Sequence, residues 1–315
     1  MLAAGVRSGL TETTHEGVIV ISYADGSPIA WSGDVERPFY LRSSAKPFQA
    51  YVSQEAGAGL DPIELAQACA SHRGFPMHVA MVKSILEGGG LDASHLRCPP
   101  DWPIGTAARD LLVASGEKHP QRRWHNCSGK HAGFLRACVA QGWPLETYLD
   151  PGHPLQRRIV EFVTELGEYD VQSVGVDGCG APVLRTTARA MAKLYARLGS
   201  EERLGEVFTA MHRYPALIAA NGEGDTEIAV ATNSVAKGGA AGCLGIALDS
   251  GIGIAVKSWD GRGDIANIGG VAALESIGAL SATALTALSD VESPPVFGGG
   301  RVVGVIEPRL DLEFA

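Results

Sequence analysis

The sequence predicts an α/β protein of the α+β kind: a mainly antiparallel sheet built from both termini, with a helical lobe inserted between its two halves. Three observations lead there. Strand and turn signals fill residues 17–34; apolar residues spaced by three and four run from Pro47 to about residue 220; strand signals return near residue 227 and persist to residue 308. The expected organisation is one domain over residues 1–315, with a sheet lobe of about 1–50 and 225–315, a helical lobe of about 51–224, and a cleft between the lobes.

In chain order, GVIVISYADGSPIAWSGD reads as a hairpin, because period-two alternation flanks an Asp25-Gly26 turn. The windows PFQAYVSQEAGA, DPIELAQACASH, MHVAMVKSILEGGG, HAGFLRACVAQG, PLQRRIVEFVTELGE and VLRTTARAMAKLYARLGS read as helices that end near glycine. EIAVAT reads as a strand, and CLGIALDSGIGIAVKSW as a second hairpin around Asp249-Ser250-Gly251. DIANIGGVAALESIGALS follows as a helix, SPPVFGGG as a loop and RVVGVIEP as a last strand, with no internal repeat.

A chain of 315 residues, 45% of them apolar, with a mean hydropathy of +0.07, can bury a large core. The formal net charge of -9, without a long basic run, argues against a nucleic-acid surface or an anionic membrane and favours a small-molecule partner. No window offers about eighteen uninterrupted apolar residues, and MLAAGVRSGL holds too short an apolar stretch for a secretory signal, so the expected location is the cytoplasm. Six cysteines are too few for a disulfide scaffold at this length. Nineteen arginines against seven lysines make each lysine informative, since only lysine is readily tuned to lose its proton.

The stretch LRSSAKPFQAY sets Ser43 three residues before Lys46, near enough on one helical face for the amine to take the hydroxyl proton. Spacing alone does not select this pair, for two other Ser-x-x-Lys matches exist. Ser115 and Lys118 lie in the polar ASGEKHPQRR, which reads as a solvated turn; Ser234 and Lys237 lie in NSVAKGGAAG, where glycines follow at once. Only Ser43 and Lys46 sit between a predicted strand and a predicted helix. A capping serine there would lie at the positive end of a helix, beside amide donors suited to an oxyanion; the plainer reading is an N-cap serine with a surface lysine. Ser71 ends a helical run in ACASHRG, and Lys257 lies in the apolar strand GIGIAVKSW. If Lys46 and Lys257 face one cleft, burial and mutual repulsion lower the proton affinity of at least one of them. Moving a lysine from about 10.4 to about 8 opposes folding by roughly 3 kcal/mol, a cost that calls for a function.

WHNCSGKHAGF offers His125, Cys127, Lys130 and His131 within seven residues, and GVDGCGAP presents Cys179 on a glycine-rich turn. Two thiolates from separate loops, completed by a nitrogen or water, could hold zinc. By residue type the nitrogen would come from His125 or His131; the plainer reading is a pair of turn or core cysteines.

Taken together and in this order, RSSAKPF, CASHRG, HNCSGKHAGF, DGCGAP and GIGIAVKSWDG resemble the Rhizobium-type (class 3) L-asparaginases of the asparaginase II family, from about residue 16 to residue 308. The resemblance implies a serine β-lactamase/DD-peptidase-like fold and an amidohydrolase that cuts the side-chain amide of L-asparagine. It also implies two Ser/Lys pairs at one site, Ser43 with Lys46 and Ser71 with Lys257. Zn2+ would be held by Cys127, Lys130 and Cys179, and the site lined by Arg42, Asp177, His131 and Cys243. A homodimer is the expected assembly. Arg73 and Gly74 depart from the smaller or acidic residues of the family after the second serine. Two rivals remain: a Ser-x-x-Lys peptidase or β-lactam-acylated hydrolase, against which the absence of a K-T-G triplet in KSWDG counts, and a zinc-binding protein without turnover.

Overall fold

The computed structural model describes residues 1–171 and 173–315; the side chains of residues 173 and 174 also lie outside the description. Its strands are β1 (Ala3–Arg7), β2 (Leu10–His15), β3 (Gly17–Tyr23), β4 (Pro28–Ser32), β5 (Phe39–Tyr40), β6 (Ser173–Val176), β7 (Pro182–Thr186), β8 (Ser234–Gly239), β9 (Cys243–Leu248), β10 (Ile252–Ser258), β11 (Pro295–Gly298), β12 (Arg301–Pro308) and β13 (Glu313–Phe314). Its helices are α1 (Lys46–Glu55), α2 (Pro62–Ala68), α3 (Pro76–Gly88), α4 (Thr106–Ala114), α5 (Ser128–Gln141), α6 (Pro154–Gly167), α7 (Ala188–Leu198), α8 (Gly205–Arg213), α9 (Pro215–Ile218), α10 (Gly224–Ala231), α11 (Gly263–Ser276) and α12 (Ala282–Glu292).

The architecture is mixed α/β, and its strand pairs are antiparallel. A six-stranded sheet in the order β13-β4-β3-β10-β9-β8 joins strands from both ends of the chain. The two hairpins read from the sequence are present as β3–β4 and β9–β10, with Gly26 and Gly251 at φ of 90° and 79° in the left-handed turn positions.

Alternation along these strands divides the interior in two. Val18, Val20, Val235, Ala247 and Ala255 face one core with the helical segment, while Ile19, Ile21, Leu244, Ile246, Ile254 and Val256 face a second core with α11. Covered on both faces, the strands read as unbroken apolar runs. On the first face α7 approaches so closely that a Cβ on Gly245 would overlap the Tyr195 ring, and one on Gly253 would overlap the Ala192 carbonyl and the Ala196 amide.

Several expectations need correction. Instead of one sheet there are separate sheets: β11-β12-β1-β2 pairs the first fifteen residues with the Pro295–Pro308 region, and β5-β7-β6 joins β5, ahead of the helical stretch, to two strands within it. EIAVAT belongs to α10, not to a strand; an acidic first turn, Asp225 and Glu227, favours the helix, and the strand proper starts at Ser234. VLRTTARAMAKLYARLGS begins as strand β7 and becomes helical only after the Thr187 cap, whose hydroxyl accepts from the Ala190 amide. SPPVFGGG contains β11, and α4, α8, α9 and α12 fall in none of the windows read as helices. Among the described residues no helix is long and apolar enough to cross a membrane.

Replacing Gly253 by alanine should destabilise the protein by about 1–3 kcal/mol, because the new methyl has only rigid α7 backbone to push against; a urea midpoint equal to wild type would show that α7 yields.

Candidate active site

Ser43 lies in a 3-10 turn, Arg42–Ala45, between β5 and α1. It is not the helix N-cap; that position is Ala45, with no side-chain cap. The turn is sharp because Arg42 takes a left-handed φ of 50°, a conformation that disfavours any residue with a Cβ. Three contacts hold it there. Arg42 Nε donates to Asp177 Oδ1 at 2.8 Å, Tyr195 on α7 donates its hydroxyl to the Ser44 carbonyl at 2.8 Å, and Ser44 Oγ donates to the Leu41 carbonyl at 2.5 Å. Strand β8 ends against the same turn: a Cβ on Gly239 would sit 2.9 Å from the Leu41 carbonyl and 3.2 Å from the Ser44 amide.

Ser43 opens on a cleft of about 300 Å³ that Ser71, Arg73, Asn126, Glu223, Asp225, Lys237 and Cys243 also line. Ser71 follows α2 in an extended stretch pinned by backbone bonds: its amide donates to the Ile218 carbonyl at 2.8 Å, and the next amide, His72, to Asn126 at 3.2 Å. Lys46 lies fully buried. Its Nζ donates to the Ala70 carbonyl at 2.6 Å and to Ser71 Oγ at 2.9 Å. Burial lowers the Lys46 pKa and Lys130 lowers it further, against the neighbouring sulfurs of Cys127 and Cys179, which raise it.

The pairing of Ser71 with Lys257 is therefore corrected: the amine bonded to Ser71 belongs to Lys46. Lys257 Nζ donates instead to the Ala241 carbonyl at 2.5 Å and to the Ser258 carbonyl, and stands 5.2 Å from the Trp259 ring centroid. Register explains the error. Lys257 pairs with Cys243 and Lys237 pairs with Gly245, so the two lysines share a sheet face but stand two strands apart, and β8 is the strand that borders the cleft.

Lys237, set aside because glycines follow it, is thus the second amine of the cleft. It is fully buried, donates to the Gly238 carbonyl at 2.6 Å and lies 3.5 Å from Asp225 Oδ2. Burial pulls its pKa down to about 8, with Lys46 and Arg73 adding to the shift and Asp225 opposing it. Asp225 Oδ2 also accepts from the Gly238 amide at 2.9 Å. The Ser-x-x-Lys match at residues 234–237 was the available signal; for Asp225, Asn126 and Glu223 there was none.

Of the four predicted lining residues only Cys243 borders the cleft, its thiol 3.3 Å from Ser44 Oγ and pushed up to about 11 by burial. Arg42 and Asp177 engage each other. His131 is buried, with Nδ1 2.7 Å from the Tyr148 hydroxyl.

Cys127, Lys130 and Cys179 do come together, behind Lys46. All three are buried, and Lys130 Nζ donates to Cys179 Sγ at 3.3 Å. The Cys127 thiol donates to Asn126 Oδ1 at 3.6 Å; Cys127, Lys130 and His131 pull the Cys179 pKa down against its burial, while Cys179 and burial drive the Cys127 pKa well up. Burial opposes the charge on Lys130, but the two sulfurs and Asp177 outweigh it and raise its pKa. Among the described residues no three His, Cys, Asp or Glu side chains form a metal-holding group; the third donor beside this thiol pair is an amine.

Two hydroxyls, two buried amines of lowered proton affinity and a close backbone approach make a site suited to acyl transfer onto serine. Solved structures with some likeness are Mglu in its native form (16% identity, TM-score 0.47, 85% of this chain and 66% of that one) and the probable glutaminase ybaS (16%, 0.46, 84% and 86%). A third is a Bacillus glutaminase (12%, 0.41, 84% and 92%). The chain spans 66% and 61% of the first two Mglu structures. No curated protein matches it. The family model for L-asparaginase II matches residues 3–308, nearly the whole length, and so the chain belongs to the L-asparaginase II family.

Proposed function

We propose that the protein hydrolyses the side-chain amide of L-asparagine to L-aspartate and ammonia, on a serine β-lactamase-like fold and through an acyl-enzyme on Ser43. One observation carries the reading: Ser43, Ser71 and Lys237 line one cleft while Lys46 reaches Ser71 from beneath it. Ser43 Oγ attacks the amide carbon and its proton passes to the neutral amine of Lys46. Backbone amides where the Ser43 turn meets the end of β8 hold the oxyanion. Ser71, bonded to Lys46, returns the proton to the departing ammonia, and water then frees the aspartyl ester. Lys237 takes the place first assigned to Lys257 as the amine on the sheet wall of the cleft, with Asp225 fixing it in position, while burial and Lys130 lower the proton affinity of Lys46.

The donor set of Cys127, Lys130 and Cys179 fits zinc, since two soft sulfurs and a nitrogen are buried together, with the Lys130 amine against Cys179 Sγ. Bound there, the ion would displace the Lys130 proton and tie the α5 start to the Cys179 turn; the serine remains the nucleophile.

The β-lactam rival keeps one point in its favour. The strand beside Ser43 carries Lys237-Gly238-Gly239, closer to K-T-G than the KSWDG against which that rival was judged. A chromogenic β-lactam therefore belongs in the assay, and rapid turnover of it without ammonia release from asparagine would favour that rival.

Ser43→Ala should lower ammonia release by at least about 1,000-fold, and Ser71→Ala by about 100-fold or more, with wild-type urea midpoints. Full activity in Ser43→Ala would refute its role, and unchanged metal binding with no turnover in any form would favour the zinc-binding rival. Chelation should lower the urea midpoint and release zinc in metal analysis.

Lys237 also makes a pH prediction. Its folded pKa of about 8 lies below the ordinary 10.5, so below pH 8 both states hold the proton and the buried charge weighs against folding by about 3 kcal/mol. Between pH 8 and 10.5 only the unfolded chain keeps it, so wild-type stability should rise with pH relative to Lys237→Met. Urea titrations across that range read the difference; a flat difference would mark Lys237 as an ordinary amine.

A further inference from the structure

Two charged residues on the cleft wall have no part in the acyl-transfer chemistry. Arg73 Nε donates to Glu223 Oε1 at 2.5 Å and Arg73 Nη2 donates to Oε2, so guanidinium and carboxylate meet edge to edge. That fork uses two of the five guanidinium N–H donors and leaves three, along with free lone pairs on both carboxylate oxygens. Both residues are partly exposed and line the same cleft as Ser43 and Ser71.

The backbone holds the pair rigidly. The Arg73 amide donates to the Ala219 carbonyl at 3.3 Å and the Arg73 carbonyl accepts from Gly105 at 3.2 Å. Gly74 turns the chain at φ +79°, where a Cβ would press Pro103 at 2.6 Å. Glu223 sits just before α10, its amide bonded to the Ala220 carbonyl at 3.2 Å and its carbonyl to the Glu227 amide at 2.9 Å. The other carboxylate of the cleft, Asp225, is already engaged by Gly238 and Lys237. Arg42 and Asp177, the other opposite pair near the serine turn, do not line the cleft. Arg73 and Glu223 are therefore the cationic and anionic groups of this wall with capacity for a ligand.

We propose that Arg73 and Glu223 together read the head group of a free α-amino acid, the α-carboxylate docking on the remaining guanidinium donors and the α-ammonium on Glu223. The pair then restricts the cleft to zwitterionic amino-acid amides and rejects the same amide inside a peptide, where either head charge is missing and leaves a desolvated partner unmatched. The inference rests on the amidohydrolase reading only for which end of the substrate reacts.

Calorimetric titration of the whole protein with three probes tests it: L-aspartate, succinate (no ammonium) and L-aspartate α-amide (capped α-carboxylate). Wild type should bind L-aspartate about 10–100-fold tighter than either of the others. Arg73→Ala should weaken L-aspartate by a similar factor and leave the α-amide unchanged. Glu223→Gln should weaken L-aspartate and leave succinate unchanged. Arg73→Lys, keeping the charge without the fork, should recover part of the loss. On asparagine Arg73→Ala and Glu223→Gln should each raise KM and leave kcat within about threefold. The proposal is overturned if wild type binds none of the probes, if it binds capped and free forms alike, or if the variants weaken all three probes equally or none. Absence of ammonia release with this binding pattern intact would overturn the hydrolase reading alone.

Discussion

Lys46 Nζ sits at 2.6 Å from the Ala70 carbonyl and 2.9 Å from Ser71 Oγ, in a setting with no access to solvent. Burial and the nearby Lys130 amine hold its proton affinity below that of an ordinary lysine, outweighing the sulfurs of Cys127 and Cys179, which act the other way. Much of the surrounding structure serves this placement. Helix α1 starts at Lys46 with Pro47 as its next residue, which costs nothing where an amide has no helical partner. The loop after α2 is stretched between Ile218 and Asn126 so that Ser71 meets the amine.

The six-stranded sheet supplies the opposite wall. Because each strand alternates between two cores, the residues available to the cleft are those on the α7 face at the β8 edge: Lys237, Gly239 and, across the register, Cys243. Close approach is the recurrent device. Glycine at 239 lets β8 reach the serine turn, and glycines at 245 and 253 let α7 lie directly on the sheet, where Tyr195 secures the Ser44 carbonyl.

What could be read in advance follows from this arrangement. Local chemistry was legible: the Asp25-Gly26 hairpin, the glycine-ended helices, and Ser43 and Ser71 as cleft-lining hydroxyls; by residue type the nitrogen beside the two cysteines was read as His125 or His131, and Lys130 was named there only through the family resemblance. What depends on register and on pairing across the chain was not legible. Lys257 and Lys237 both sit in apolar strands, and only the order β10-β9-β8 says which one borders the cleft. The glycines that made Ser234–Lys237 look like a turn are those that bring its strand against the serine. EIAVAT, too short for its period to decide between helix and strand, was settled by the acidic first turn and by its place over β8. Arg73 stood out as unusual beside the second serine, but its partner Glu223 lies far along the sequence.

The six-stranded sheet has a temporal consequence. Its inner strands come from opposite ends of the chain, with β3 hydrogen-bonded to β10 and the last pair, β13 on β4, made by residues 313 and 314. A nascent chain emerging from the ribosome presents the serine turn and most of the helices before β8 and β9 exist to face them, so the long-range pairing must wait until those later strands have been made. Until then the Ser43 turn lacks the wall that Lys237, Gly239 and Cys243 supply in the finished fold.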